Sequence, residues 1–139
     1  GGRYTGPRID KLYTDLLQRP GTLFPAVVSA FVGLRGDFDP GEAHSTTHLL
    51  SDEDGQGLPG ALQNSLVVQA RSRYSDGFAP PGRSVLHCTY FSDYAYWKEL
   101  RTRDRKEYRR RKQDVAGFVR TFLERRSPGI GDRIDLVDV

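Results

Sequence analysis

The apolar positions of this chain fall into short runs parted by turn residues, and their spacing changes along its length. Near the start, Ile9, Leu12, Tyr13, Leu16 and Leu17 recur at i, i+3, i+4, i+7 and i+8 behind Thr5-Gly6-Pro7. That spacing, with a cap and a proline at its head, predicts a short amphipathic helix, which Arg19-Pro20-Gly21 stops. The β-branched and aromatic run Phe24 to Leu34 then predicts a mostly buried strand over 26–34, ended by the turn Gly36-Asp37-Phe38-Asp39-Pro40-Gly41. Further strands are predicted over 44–50, 64–72 and 83–91, separated by a polar, glycine-containing loop at 51–57 and by the turn-dense stretch 74–82. No connection among them has room for a crossover helix, so the pairing is expected to be antiparallel.

Beyond residue 91 the period becomes helical. Ser92 or Asp93 can cap a short helix running to Leu100, and Asp104 can cap a longer one of about six turns running to about Arg126. Tyr108, Val115, Val119, Phe122 and Leu123 form its apolar stripe, with Arg109, Arg110, Lys112, Arg120 and Glu124 assigned to the wet side. Pro128 and Gly129 end it, and 133–139 reads as a last strand. The expectation is one α+β domain over residues 1–139: a mainly antiparallel sheet of about five strands with a long amphipathic helix packed on one face.

Composition narrows the class. With 139 residues, 37% of them hydrophobic, 11% aromatic and 28% charged, the chain is too rich in large side chains for a disordered tail. No apolar run approaches the roughly 20 residues that span a bilayer, and the N-terminal stretch lacks the basic-then-apolar profile of a secretory signal. A single cysteine, Cys88, makes no internal disulfide, which fits a reducing cytoplasm. There is no methionine, so the chain is expected to be either processed or a piece of something longer, and a sequence that stops inside a strand pattern looks cut.

The net charge of +3 is unevenly spread: residues 98–112 hold nine bases against three acids, leaving twelve bases against fifteen acids elsewhere. Within that stretch, 105–112 has six bases in eight residues, enough to contact RNA or another polyanion as a stand-alone binding module. Asp104 and Glu107, spaced to pair with the following bases above an apolar stripe, favour an ordinary solvated helix face instead, and no nucleic-acid partner is expected. His44 and His48 share a strand face, but paired cysteines and a catalytic glutamate are both missing, and His87 and Cys88 point to opposite faces, so no metal is expected. Gly129-Ile130-Gly131 lacks the third glycine of a dinucleotide fingerprint and precedes a strand rather than a helix; neither GxxxxGK[ST] nor GxSxG occurs. Five aromatics in eight residues, Tyr90, Phe91, Tyr94, Tyr96 and Trp97, stand at a strand-to-helix junction. They serve either as corner packing or as a wall for an apolar ligand.

Three stretches in fixed order carry a resemblance: Arg71 to Arg83 (RSRYSDGFAPPGR), Ser92 to Leu100 (SDYAYWKEL) with Tyr108 and Lys112 following, and Glu124 to Ile130 (ERRSPGI) continuing to Val139. Together they resemble the middle region of the phytoene desaturase-like NAD(P)/FAD-dependent oxidoreductases, the group that includes retinol saturases. Phe31 to Phe38 is similar to the strand just upstream in that group, so the likeness runs from about residue 24 to the end. The resemblance implies a substrate-binding domain inserted between two halves of a flavin-binding domain. FAD in the parent enzyme would carry out the hydride chemistry on an apolar, polyene-like substrate, and none is expected in this piece. Tyr74, Phe78, Tyr90, Phe91, Tyr94 and Trp97 are the candidates for the cavity wall, and no catalytic residue is assigned. The partners it implies are the apolar substrate and the missing flavin-binding halves. A homodimer over uncovered strand edges and at most peripheral membrane contact complete the expectations.

Overall fold

The structure, a computed structural model, describes residues 11–12, 14–16, 24–39, 41 and 43–139. Residues 11–12 and 14–16 are helical, and the rest of the helix predicted around 9–17 lies outside the described residues. Five strands follow: β1 (Ala26–Arg35), β2 (Ser45–Leu49), β3 (Ser65–Ala70), β4 (Arg83–Ser92) and β5 (Ile134–Asp138). They form one antiparallel sheet in the order β2-β3-β4-β1-β5. β4, whose residues alternate without a break between buried and less buried, pairs along all ten residues of β1, from Ala26 opposite Ser92 to Arg35 opposite Arg83.

The period of two assigns the faces. Ala30, Val32 and Leu34 of β1, Leu66 and Ala70 of β3, and Leu86, Cys88 and Tyr90 of β4 all point to one side. There they meet Val115, Val119, Phe122 and Leu123 of the long helix, here α3 (Arg105–Arg126), in one apolar cluster. Each fully buried Leu or Val of that cluster stabilises the fold by about 1.5–3 kcal/mol. Asp104 starts α3 as the sequence predicts, its Oδ1 accepting the N–H groups of Lys106 and Glu107 at 2.9 Å each. A shorter helix, α2 (Tyr94–Arg103), runs from its Asp93 cap into α3.

Two local features differ from expectation. Residues 52–56, read as loop, form a one-turn helix, α1 (Asp52–Gln56). Ser51 Oγ accepts the Asp54 N–H at 3.1 Å, and three acids occupy the first turn, where the helix dipole favours them. Asp54 Oδ1 also accepts a hydrogen bond from Arg125 Nη2 at 2.8 Å, which holds its carboxyl below the ordinary range. At buried Gly55 a Cβ would run into the Asn64 carboxamide, so any larger residue there requires that side chain to move. The second difference is Lys112, assigned to the wet side of α3, which is half-buried against the start of β1.

Among the described residues, the opposite face of the sheet is left largely uncovered. Val27 and Phe31 are each 47% exposed, Leu136 60%, and Phe91 stands beside Val27 with Phe24 edge-on to it at 5.2 Å.

Candidate functional site

A groove of about 250 Å³ opens where the first residues of β1 meet the two long helices. Ala26 to Ser29 form one wall; Tyr94 and Trp97 of α2, Tyr108 and Lys112 of α3, and Val139 form the rest. Trp97 is fixed from two sides. Its Nε1 donates to Ser92 Oγ at 2.8 Å, and its ring meets Tyr96 at 5.3 Å and Tyr108 at 5.8 Å, both nearly perpendicular. Ser92, 1% exposed, donates in turn to the carbonyl of Gly60 at 2.8 Å. Tyr94 is 65% exposed and carries the Lys98 ammonium 5.9 Å from its ring centre.

At Ser29 this groove meets an ordered polar cluster on the uncovered sheet face. His87 Nε2 lies 3.1 Å from Ser29 Oγ, and His87 Nδ1 receives Arg71 Nη2 at 2.9 Å and Nε at 3.3 Å. Phe31 stacks flat on the imidazole, 4.4 Å between centroids and 3° between planes. Burial, and after it the charge of Arg71, holds the His87 pKa below its ordinary value. A guanidinium only donates, so Nδ1 is the unprotonated nitrogen and the proton sits on Nε2. His87 therefore donates to Ser29 and cannot take its proton, which removes the pair as a nucleophile and its base.

The six candidate wall residues do not come together. Tyr94 and Trp97 share the groove, and Phe91 stands on the adjoining open face beside Val27. Tyr90, although next to Phe91 in sequence, points to the other side: it is 4% exposed and donates its hydroxyl to the Pro59 carbonyl at 2.9 Å. Burial pushes its phenol pKa well up. Tyr74 and Phe78 lie at the far end of β4, in the turns that precede Arg83, roughly 25–30 Å of strand from Phe91. Both are exposed, Tyr74 against His44 at 5.9 Å. Val27 and Ser29 were not picked out by sequence reasoning, because only the long-range pairing of β1 with β4 carries them to the site.

The other sequence candidates are placed as follows. Cys88 is buried on the core face, and its thiol is pushed up to about 12 by burial, so it stays protonated. His44 and His48 both face α3, but four residues of extended chain set them about 13 Å apart, too far to share an ion. No group of three or more His, Cys, Asp or Glu among the described residues is placed to hold a metal. In the basic run, Glu107 binds Arg110 at 2.6 Å and Arg111 at 2.9 Å, and Asp114 also lies 3.5 Å from Arg111. No helix among the described residues is long and apolar enough to cross a membrane.

Comparison with protein-family models, with curated proteins and with solved structures finds no match to this chain.

Proposed function

We propose that the chain is the substrate-binding domain of a phytoene desaturase-like, FAD-dependent oxidoreductase, and that it seats an apolar, polyene-like molecule for chemistry performed by a flavin held elsewhere in the parent enzyme. The observation that carries this reading is the aromatic groove of Tyr94, Trp97 and Tyr108 opening beside an uncovered, partly apolar sheet face. A sheet packed on one side only leaves its other side for a ligand or a further domain, and side chains such as Val27, Phe31 and Leu136 gain when water is removed from them. In this reading the protein is cytoplasmic, consistent with its single unpaired cysteine. In the absence of the flavin-binding halves, two copies pair through the same face. Light scattering would show a dimer, and a monodisperse monomer at high concentration counts against that pairing.

The polyanion-binding alternative draws less support. Arg110 and Arg111 are engaged by Glu107, and Lys112 turns into the groove, which thins the basic face to Arg105, Lys106 and Arg109.

Trp97 is the only tryptophan, so it reports on its own groove. Titration with cis-parinaric acid methyl ester, a neutral polyene that absorbs where tryptophan emits, is expected to quench Trp97 saturably. Absence of saturable quenching refutes the groove as a polyene site. The parentage has its own test: the reading frame around this segment should encode a GxGxxG strand-turn-helix upstream, and a frame without one removes the flavoprotein assignment.

A further inference from the structure

A second cavity, of about 240 Å³, lies on the core side of the sheet between β2 and the last turns of α3, and it shares no residue with the Trp97 groove. Phe122, on its wall, stands ten residues along α3 from Lys112, or about 15 Å of helix. The period of two explains why one hollow gathers these side chains: Thr46 and His48 of β2 stand opposite Val68 and Leu66 of β3, on the face that meets α3. The floor is apolar, made by Val68, Ala70, Leu86, Phe122 and Leu123. The rim is polar, and no carboxylate lines it.

One ring anchors two of the rim groups. His48 stands edge-on to Phe122 with 5.1 Å between centroids, and the guanidinium carbon of Arg126 lies 5.5 Å from the centre of the same ring. The two are therefore no more than about 11 Å apart, a gap that a carboxylate hydrogen-bonded to both can bridge. Arg126 forms no ion pair among the described residues, and Asp54, which feels its charge, is bound by Arg125 at 2.8 Å. The His48 ring nitrogens and the hydroxyls of Thr46 and Ser127 likewise have no hydrogen-bond partner among the described residues. Burial, and after it the Arg126 charge, holds the His48 pKa below its ordinary value, as expected beside a cation with no anion between them. Donors around an apolar floor, with one unpaired cation and no acid, are complementary to a small apolar molecule that carries a negative charge.

We infer that this cavity binds a small one-ring carboxylate, with Arg126 as its charge partner, His48 and Ser127 as neighbouring donors, and its ring against Phe122 and Val68. The volume admits one ring and its carboxylate but not a long chain. The site is thus separate from the groove proposed for a polyene-like ligand, and neither reading depends on the other.

The test titrates the chain with 4-fluorobenzoate and with its neutral isostere 4-fluorobenzamide, followed by fluorine NMR of the probe and proton NMR of the three histidine rings. One charge-assisted hydrogen bond predicts that the carboxylate binds about tenfold tighter than the amide. Arg126→Gln should bring the two within about threefold while leaving the amide unchanged, and Arg126→Lys should restore part of the preference. Raised salt should weaken the carboxylate and spare the amide. The His48 ring resonances should shift saturably with the carboxylate, while those of His87, on the other face of the sheet, stay in place. Thr46 is exposed on the edge strand, so Thr46→Phe should fill the cavity and remove binding of both probes with the urea midpoint unchanged. No saturable binding of either probe overturns the site, as does a shift at His87 without one at His48. Equal affinity of the wild-type chain for carboxylate and amide overturns the anion, and a preference that survives Arg126→Gln overturns the role given to Arg126.

Discussion

The network that holds Trp97 can be tested through Ser92, which is 1% exposed and sits between two partners at 2.8 Å each: the Trp97 indole as donor and the Gly60 carbonyl as acceptor. Ser92→Ala removes both bonds. It strands the indole N–H and leaves the Gly60 carbonyl only the Asp93 N–H, also at 2.8 Å. At about 1 kcal/mol for each bond, the loss is about 2 kcal/mol. A chain of 139 residues has an unfolding entropy of about 0.3 kcal/mol/K, so the melting temperature should fall by about 7 °C. Trp97→Phe loses the same indole bond, plus some ring contact with Tyr96 and Tyr108. In the double variant the shared bond is lost only once, so the two single costs should overshoot the double by about 1 kcal/mol. Urea unfolding followed by far-UV circular dichroism measures all four proteins, including those without the tryptophan. A Ser92→Ala protein within about 0.5 kcal/mol of wild type, or a cycle that adds without remainder, would refute the reasoning.

Three further outcomes follow from the packing. Gly60 has φ of +68°, and a Cβ there would stand 2.7 Å from the Tyr96 ring, so Gly60→Ala should destabilise by more than 1 kcal/mol and loosen the groove; unchanged thermal unfolding contradicts this. In alkali, the buried Cys88 thiol stays protonated to about 12 while the unfolded thiol ionises from about pH 9. Unfolding then releases a proton, and stability should fall across that window by up to about 1.4 kcal/mol per pH unit. Tyr90 adds to the fall in the same direction, and Cys88→Ala should flatten the curve. In acid, His48 and His87 both have pKa values below the ordinary 6.5, chiefly through burial, so the unfolded chain takes up protons first as pH drops through 6.5. The stability that their neutral forms contribute is complete above that pH and is lost below it. Replacing both by Gln should lessen the shift of the urea midpoint between pH 7.5 and pH 5.

Much of the fold was legible in the chain, most plainly in β4, which obeys a strict alternation. In β4 the even-numbered residues Ser84 through Ser92 are all buried, so a two-residue period was enough to place the strand and its core face. The long helix was equally readable from Val115, Val119, Phe122 and Leu123. The one-turn helix at 52–56 escaped because its support is remote: Arg125 lies 71 residues from Asp54, and that ion pair leaves no periodic trace. The site was only half legible, for a similar reason. Tyr90 and Phe91 look equivalent as neighbours in an aromatic run, yet a strand sends adjacent side chains to opposite faces. Ser29 and His87 stand 58 residues apart and meet only through the register of β1 against β4.

That register has a consequence for how the protein is made. Of the five strands, β1 leaves the ribosome first, yet its two neighbours in the sheet, β4 and β5, are the last two of the five to be synthesised. The hairpins β2-β3 and β3-β4 can form as they emerge, but the sequence AVVSAFVGLR must wait for them as an unsheltered apolar ribbon. During translation, that wait is the interval in which a chaperone would be of most use to this chain, and in which aggregation would most readily begin.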